Sequence, residues 1–163
     1  MDLPRWAFSV LPVGVAAGLG GLAAKDAPKV YARLTKPRWA PPASVFGPVW
    51  SILYLTNGVA GWRLFRSASR RTKTLHLVQL SLNAAWPVLF FGVRDKRSSL
   101  VVIALLDCAL VAEIASLRNE DAGAASLLLP YLVWSMFATV LNASVSDPGR
   151  ESASRSSFGL SSL

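Results

Sequence analysis

The chain is short of the residues on which most enzymatic and metal chemistry depends. Its 163 residues include one cysteine, Cys108, and one histidine, His76. A lone cysteine in the middle of an apolar stretch builds no disulfide framework and says nothing of redox compartment. One histidine and one cysteine do not supply a zinc site. The sequence has no glycine-rich phosphate loop, no paired-cysteine metal motif and no persuasive Ser/His/Asp spacing. Hydrolytic, kinase and metal-dependent catalysis are therefore disfavoured, and no cofactor is expected. Charge is scarce too, with only 16% Asp, Glu, Lys and Arg.

Apolar sequence fills the space that charge leaves, at 53% of the residues. It falls into five blocks at about 6–24, 43–65, 74–93, 99–117 and 125–145. A helix rises about 1.5 Å per residue, so about 20 residues cross a hydrocarbon core of about 30 Å. Runs such as LVVIALL at 100–106 do not alternate, which argues against a transmembrane β-barrel. The expected fold is an all-α membrane protein, a five-transmembrane-helix bundle over residues 1–145. The Ser-rich stretch 146–163 reads as a disordered tail. MDLPRWAF at the start lacks a basic signal-peptide n-region, so the first block is expected to be retained as a helix.

The formal net charge of +8 raises the possibility of nucleic acid, but the basic residues sit at block ends. Lys25, Lys29, Arg33, Lys36 and Arg38 follow the first block, and Arg63, Arg66, Arg70, Arg71 and Lys73 separate the second and third. That placement fits lipid headgroups and topology rather than a nucleic-acid face. Five spans would put ten Lys/Arg on the side of the C-terminus and seven on the other, a small bias toward a cytosolic C-terminus.

Polar residues inside the blocks recur at helical spacing. The second block carries Trp50, Tyr54, Asn57 and Gly61 on one face, and the third Gln79, Asn83, Trp86 and Phe90. The fifth carries Tyr131, Trp134, Ala138, Leu141 and Asn142. Amides are costly in lipid without partners, so these faces should turn inward. Such stripes suit either interhelical packing or a ligand cavity, and pattern alone does not choose. The fourth block holds two acids, Asp107 and Glu113, about 120° apart around a helix and so not a paired carboxylate site. Glu113 is expected to pair with Arg63, and Asp107 either to be protonated and hydrogen-bonded or to meet a ligand. His76 is placed at the membrane interface. Gly14 and Gly18, four apart, suit close packing within the bundle or a dimer seam. Residues 25–42, with Pro37, Pro41 and Pro42, should form an ordered cap carrying Trp39.

Three stretches are specific enough to carry a family resemblance: KPRWAPPASVFGPVWSILY (36–54), QLSLNAAWPVLFFGVR (79–94) and PYLVWSMFATVLN (130–142). They resemble the translocator protein/tryptophan-rich sensory protein (TspO/MBR) family, once called peripheral-type benzodiazepine receptors. The resemblance spans residues 4–142. It implies a non-enzymatic membrane receptor or transporter, with an internal cavity under the first loop. Cholesterol, porphyrins such as protoporphyrin IX and haem, and benzodiazepine-type drugs are the implied ligands. Membrane lipid and a homodimer are implied partners, with the outer mitochondrial membrane as location and the endoplasmic reticulum as alternative. Light-dependent porphyrin degradation, reported for some bacterial relatives, and a scaffold role are the rival readings.

Carried over by motif, the cavity would be lined by Gly20, Ala23, Phe46, Gly47, Val49, Trp50, Asn83, Trp86, Leu105, Trp134, Ala138 and Leu141, with Trp39 at its gate. Two departures weaken parts of the analogy. Ser98 stands where many animal relatives have a drug-site tryptophan. The stretch LNASVSDPGR lacks the tyrosine of the family's sterol-recognition segment, with Ala143 and Ser144 in place of aromatics.

Overall fold

The computed structural model of the chain describes residues 5–146. Side chains of residues 5, 6, 8 and 67 are not described, and the expected tail lies, beyond Ser146, outside the described residues. Among the described residues six α-helices are present rather than five: α1 (Arg5–Ala23), α2 (Ala27–Arg33), α3 (Phe46–Ser67), α4 (Arg70–Pro87), α5 (Lys96–Glu120) and α6 (Ala122–Ser144). The five long ones match the apolar blocks. The sixth, α2, lies in the expected cap. Asp26 precedes it and Pro28 sits in its first turn, where the missing N–H costs nothing. The segment after α2 carries Pro37, Pro41 and Pro42, and a single 3₁₀ turn, Ala43–Val45, leads into α3.

Short polar side chains begin the last three helices. Ser69 Oγ accepts from the Thr72 N–H and starts α4 four residues before the apolar block does. Asp95 and Asp121 cap α5 and α6 in the same way, so those helices also start three residues before their blocks. Pro87 cannot donate to the ladder, and Val88–Val93 continues α4 as a π-helical segment. That segment stops at Arg94, whose φ of 59° is left-handed.

Around the bundle the long helices neighbour one another in the order α1, α3, α6, α5, α4 and back to α1. Three of them, α4 with its π-helical extension, α5 and α6, are long and apolar enough to cross a membrane. Helix α1, from Ser9, makes a fourth if it counts as one span with α2, across a bend of 53°. Helix α3 has the length, at 22 residues, but Trp50, Tyr54 and Asn57 lower its hydropathy.

The distribution of side chains is inverted relative to a water-soluble bundle. Val10, Leu19, Ile52, Leu55, Val101, Val133 and Val140 point outward and are exposed, while Asn57, His76, Gln79, Asn83, Glu113 and Asn142 are buried. This is the arrangement of an integral membrane protein, whose outer solvent is hydrocarbon and whose polar groups must satisfy one another. The three inward stripes read from the sequence are buried or half-buried as expected.

Candidate functional site

A pocket of about 420 Å³ opens at the end of the bundle covered by α2. Its walls come from Ala17, Gly20 and Gly21 of α1, Pro28 and Tyr31 of α2, Phe46, Gly47, Trp50 and Tyr54 of α3, and Trp86, Pro87 and Phe91 around the end of α4. Gly20 is there because space is short: a Cβ at this position would lie 3.3 Å from the Tyr54 hydroxyl and 3.6 Å from Pro87 Cγ. Trp50 is the hub of the walls. Its ring centroid lies 6.5 Å from Trp86, 5.6 Å from Tyr54 and 6.1 Å from Tyr131. Trp86 in turn stacks on Phe90 at 5.2 Å.

Polar groups at the pocket are few and largely occupied. The Tyr54 hydroxyl donates to Asn83 Oδ1 at 3.1 Å, and the Tyr31 hydroxyl donates to the Pro41 carbonyl at 2.9 Å. No residue of the lining carries a formal charge. The cover is fastened down. Thr35 and Ser146 exchange backbone hydrogen bonds of 3.0 and 3.1 Å, tying the segment after α2 to the end of α6. Lys36 Nζ donates to the Tyr31 and Leu34 carbonyls at the C-terminal end of α2, where a cation is favoured.

Of the residues expected to line the cavity, Gly20, Phe46, Gly47, Trp50 and Trp86 come together in this pocket. Asn83 stands one hydrogen bond behind it, through Tyr54. Trp134 forms a second aromatic layer, 5.9 Å from Phe46 and 5.2 Å from Phe137. Ala138 belongs to the central core, and Leu141 packs with Tyr31 and Val145 under the cover. Trp39, 49% exposed, packs edge-on against Phe137. Ala23 is half-buried beside the pocket, and Val49 borders an outer groove between α3 and α6. Leu105 is on the outer surface of α5. The described pocket thus draws on α1 to α4 and not on α5 or α6. Tyr31 and Pro28 escaped sequence reasoning. The Asp-Ala-Pro start of α2 was the signal that could have found them.

Three further expectations are corrected. Arg63 does not pair with Glu113; its guanidinium donates to both oxygens of Asp121, at 2.8 and 3.1 Å. Asp121, capping α6, is the nearer and more accessible partner. That hydrogen bond, then the Ala124 N–H, holds the Asp121 carboxyl below the ordinary carboxylate range. Glu113 instead lies 2.8 Å from His76 Nδ1, and both residues are fully buried. His76 is therefore not an exposed interfacial side chain: α4 begins at Arg70, nearly two turns before it, and the bundle encloses it fully. Gly14 and Gly18 face outward with open space around them, so they do not serve packing inside the bundle. Asp107 accepts from the Thr139 hydroxyl at 2.7 Å, a polar partner across α5 and α6.

Comparison with known proteins agrees with this architecture. The family profile of the TspO/MBR family matches residues 8–146. The tryptophan-rich protein TspO of Archaeoglobus fulgidus is 35% identical over 147 residues, covering 87% of this chain and 95% of the relative. The human translocator protein is 39% identical over 118 residues, covering 69% of this chain and 70% of the relative. The tryptophan-rich sensory protein of Cereibacter sphaeroides is 32% identical over 143 residues, covering 87% and 89%.

Proposed function

The chain belongs to the TspO/MBR family, and on that premise we propose that it is a membrane receptor or transporter whose α2-covered pocket takes flat or steroidal apolar ligands. Cholesterol, protoporphyrin IX, haem and benzodiazepine-type drugs are the ligands of this reading, and sterol and tetrapyrrole transport its purpose. The observation that carries it is the pocket itself. Its volume of about 420 Å³ falls in the range of small-molecule sites, about 300–1,000 Å³, and its lining is aromatic and uncharged. Trp50 and Trp86 offer indole faces to a planar or ring-fused body. An uncharged lining favours a ligand whose body is neutral. Porphyrin carboxylates would be held at the mouth, where Lys25 and Lys29 stand next to the lining residues Ala24 and Pro28. Sterol, on this reading, enters the pocket rather than the end of α6, where Ala143 and Ser144 present only small exposed side chains.

The bundle would cross the membrane five times, with α3 included because its polar face is turned inward. The outer mitochondrial membrane is the proposed location, with the endoplasmic reticulum as alternative. Binding is tested by quenching of tryptophan fluorescence in the purified protein. Protoporphyrin IX is expected to quench with saturation, and Gly20→Leu, which fills the pocket, to weaken its affinity at least about tenfold. Unchanged affinity in Gly20→Leu removes the pocket from the account.

A second reading, light-dependent porphyrin degradation, draws on the placement of Trp50 against Trp86 in the pocket wall. Illuminated complexes separate the two: stable porphyrin absorption leaves binding alone. A homodimer is proposed on the outward Gly14 and Gly18 face, where a second helix could approach closely.

A further inference from the structure

The pocket is shut beneath its cover and open on its flank. Under α2, the Tyr31 ring stands edge-on to Phe46 at 5.2 Å, and its hydroxyl donates to the Pro41 carbonyl. Leu34, Ala40 and Ala43 pack onto the buried cluster of Tyr31, Leu141 and Val145. The Thr35–Ser146 backbone bonds fasten the segment beyond α2. Opening this side would break a packed apolar cluster.

The flank between α1 and α3 is built differently. Four lining residues are exposed: Gly21 near the end of α1, Pro28 in the first turn of α2, Ser44, and Gly47 at the start of α3. A Cβ on Gly21 or Gly47 would meet nothing within 4 Å, so no neighbouring helix closes on either. Gly20, one residue back, is the opposite case, since a Cβ there would contact the Tyr54 hydroxyl and Pro87 Cγ. Deeper in the bundle, Val13 and Ala16 pack with Leu80 and Tyr54. Helix α1 therefore seals against α4, and against α3 from Tyr54 inward, but stands apart from the first turn of α3. The bend of 53° between α1 and α2 carries α2 over the end of the bundle rather than along this flank.

At this depth the flank looks into hydrocarbon. Leu22, beside Gly21, is 71% exposed, and Leu19 and Ile52 are exposed as well. Helix α3 carries no charge before Arg63. Lys25 stands one turn beyond Gly21 in the chain, and a cation there belongs among the headgroups. The gap thus lies just beneath the headgroup layer.

We propose that ligands enter sideways from the lipid leaflet, through the gap between α1 and α3 at Gly21 and Gly47, while the α2 cover stays closed. This route rests on the reading of the pocket as a ligand site. It narrows the ligand class to amphiphiles already dissolved in the leaflet, with an apolar body at the depth of Trp50 and a polar end near Lys25.

Locking the cover tests the route. Thr35 and Ser146 exchange both backbone bonds, which sets their Cα atoms about 5.5 Å apart, within disulfide reach. The full chain carrying Thr35→Cys, Ser146→Cys and Cys108→Ser is placed in lipid vesicles, and loading of protoporphyrin IX is followed by tryptophan quenching. The oxidised protein should load to the same extent as the reduced one, and within about threefold of its rate. Loading that fails or slows further when oxidised, and recovers on reduction, overturns the route alone. Absence of binding in both forms overturns the ligand reading and the route with it. A second arm needs no ligand. In the Cys108→Ser background, a nitroxide is attached at Gly21→Cys or at Gly47→Cys, and its collisions with oxygen and with a water-soluble nickel chelate are compared. Oxygen, which concentrates in lipid, should dominate at both positions, and dominance of the nickel chelate overturns the proposal. Should the cysteine pair fail to oxidise, the nitroxides decide by themselves.

Discussion

The two ends of the interior beside α3 and α4 solve opposite problems. At the α2-covered end, Trp50, Tyr54, Trp86 and Phe91 are large rings that meet at angles and leave a pocket. At the basic end, Asn57, His76, Gln79 and Glu113 are smaller, polar and fully buried. Rings held apart by helix geometry cannot collapse onto one another, because each is wedged by a neighbour such as Phe90 or Tyr131. Amides and a hydrogen-bonded imidazole–carboxyl pair behave differently. Hydrocarbon offers them no partner, so they close on one another and exclude space. Emptiness and polarity thus sort to separate ends of one interior.

The contrast can be broken most severely at the polar end. Glu113→Ala leaves His76 and the amides without their acid and should cost about 3–5 kcal/mol of stability, read from thermal unfolding in detergent. Stability close to wild type would show that the polar end is not a closed network. At the pocket end the same size of change should leave the fold standing. Trp50→Leu is expected to raise the dissociation constant for protoporphyrin IX about tenfold or more while the unfolding midpoint moves by only a few degrees.

Smaller effects are expected outside the interior. Asp121→Ala loses both the α6 cap and the Arg63 contact, and should cost about 1 kcal/mol. Because the Asp121 carboxyl is held below its ordinary range, its contribution is complete above the ordinary carboxylate value. It fades as pH falls through the lowered one, so wild type and Asp121→Ala should converge in stability in acid. The smallest change is Gly18→Leu on the outer face of α1, which meets open space. It should leave monomer stability unaltered and reduce self-association in chemical crosslinking, if that face is the seam of the proposed dimer.

Much of this was legible in the sequence because hydrophobicity and helical period are local properties. The five long helices, and the inward faces of Trp50–Asn57, Gln79–Trp86 and Tyr131–Asn142, follow from spacing alone. Helix starts were read late at Ser69, Asp95 and Asp121, since caps are polar residues outside the apolar blocks. Helix α2 was missed because seven residues that include Lys29 and Arg33 make no apolar block. Side-chain partners were the least legible. Arg63 and Glu113 sit at compatible depths in the sequence, yet which acid meets which base depends on the rotation of α5 and the position of the α5–α6 turn.

Within the site, the residues brought together were those on α1, α3 and α4, whose motifs fix both helix and face. Trp134, Ala138 and Leu141 also turn inward, but α6 stands behind Phe46, so facing inward did not mean facing the pocket.

Sequence by itself determined that this chain lives in lipid, because long apolar helices with buried amides have no other stable surroundings. It also determined which helical faces turn inward, since period and polarity are written residue by residue. Tertiary structure alone decided where the interior is hollow and which acid meets the histidine. Those depend on the order of helices around the bundle and on sub-turn rotations, quantities to which no local pattern in the chain is sensitive.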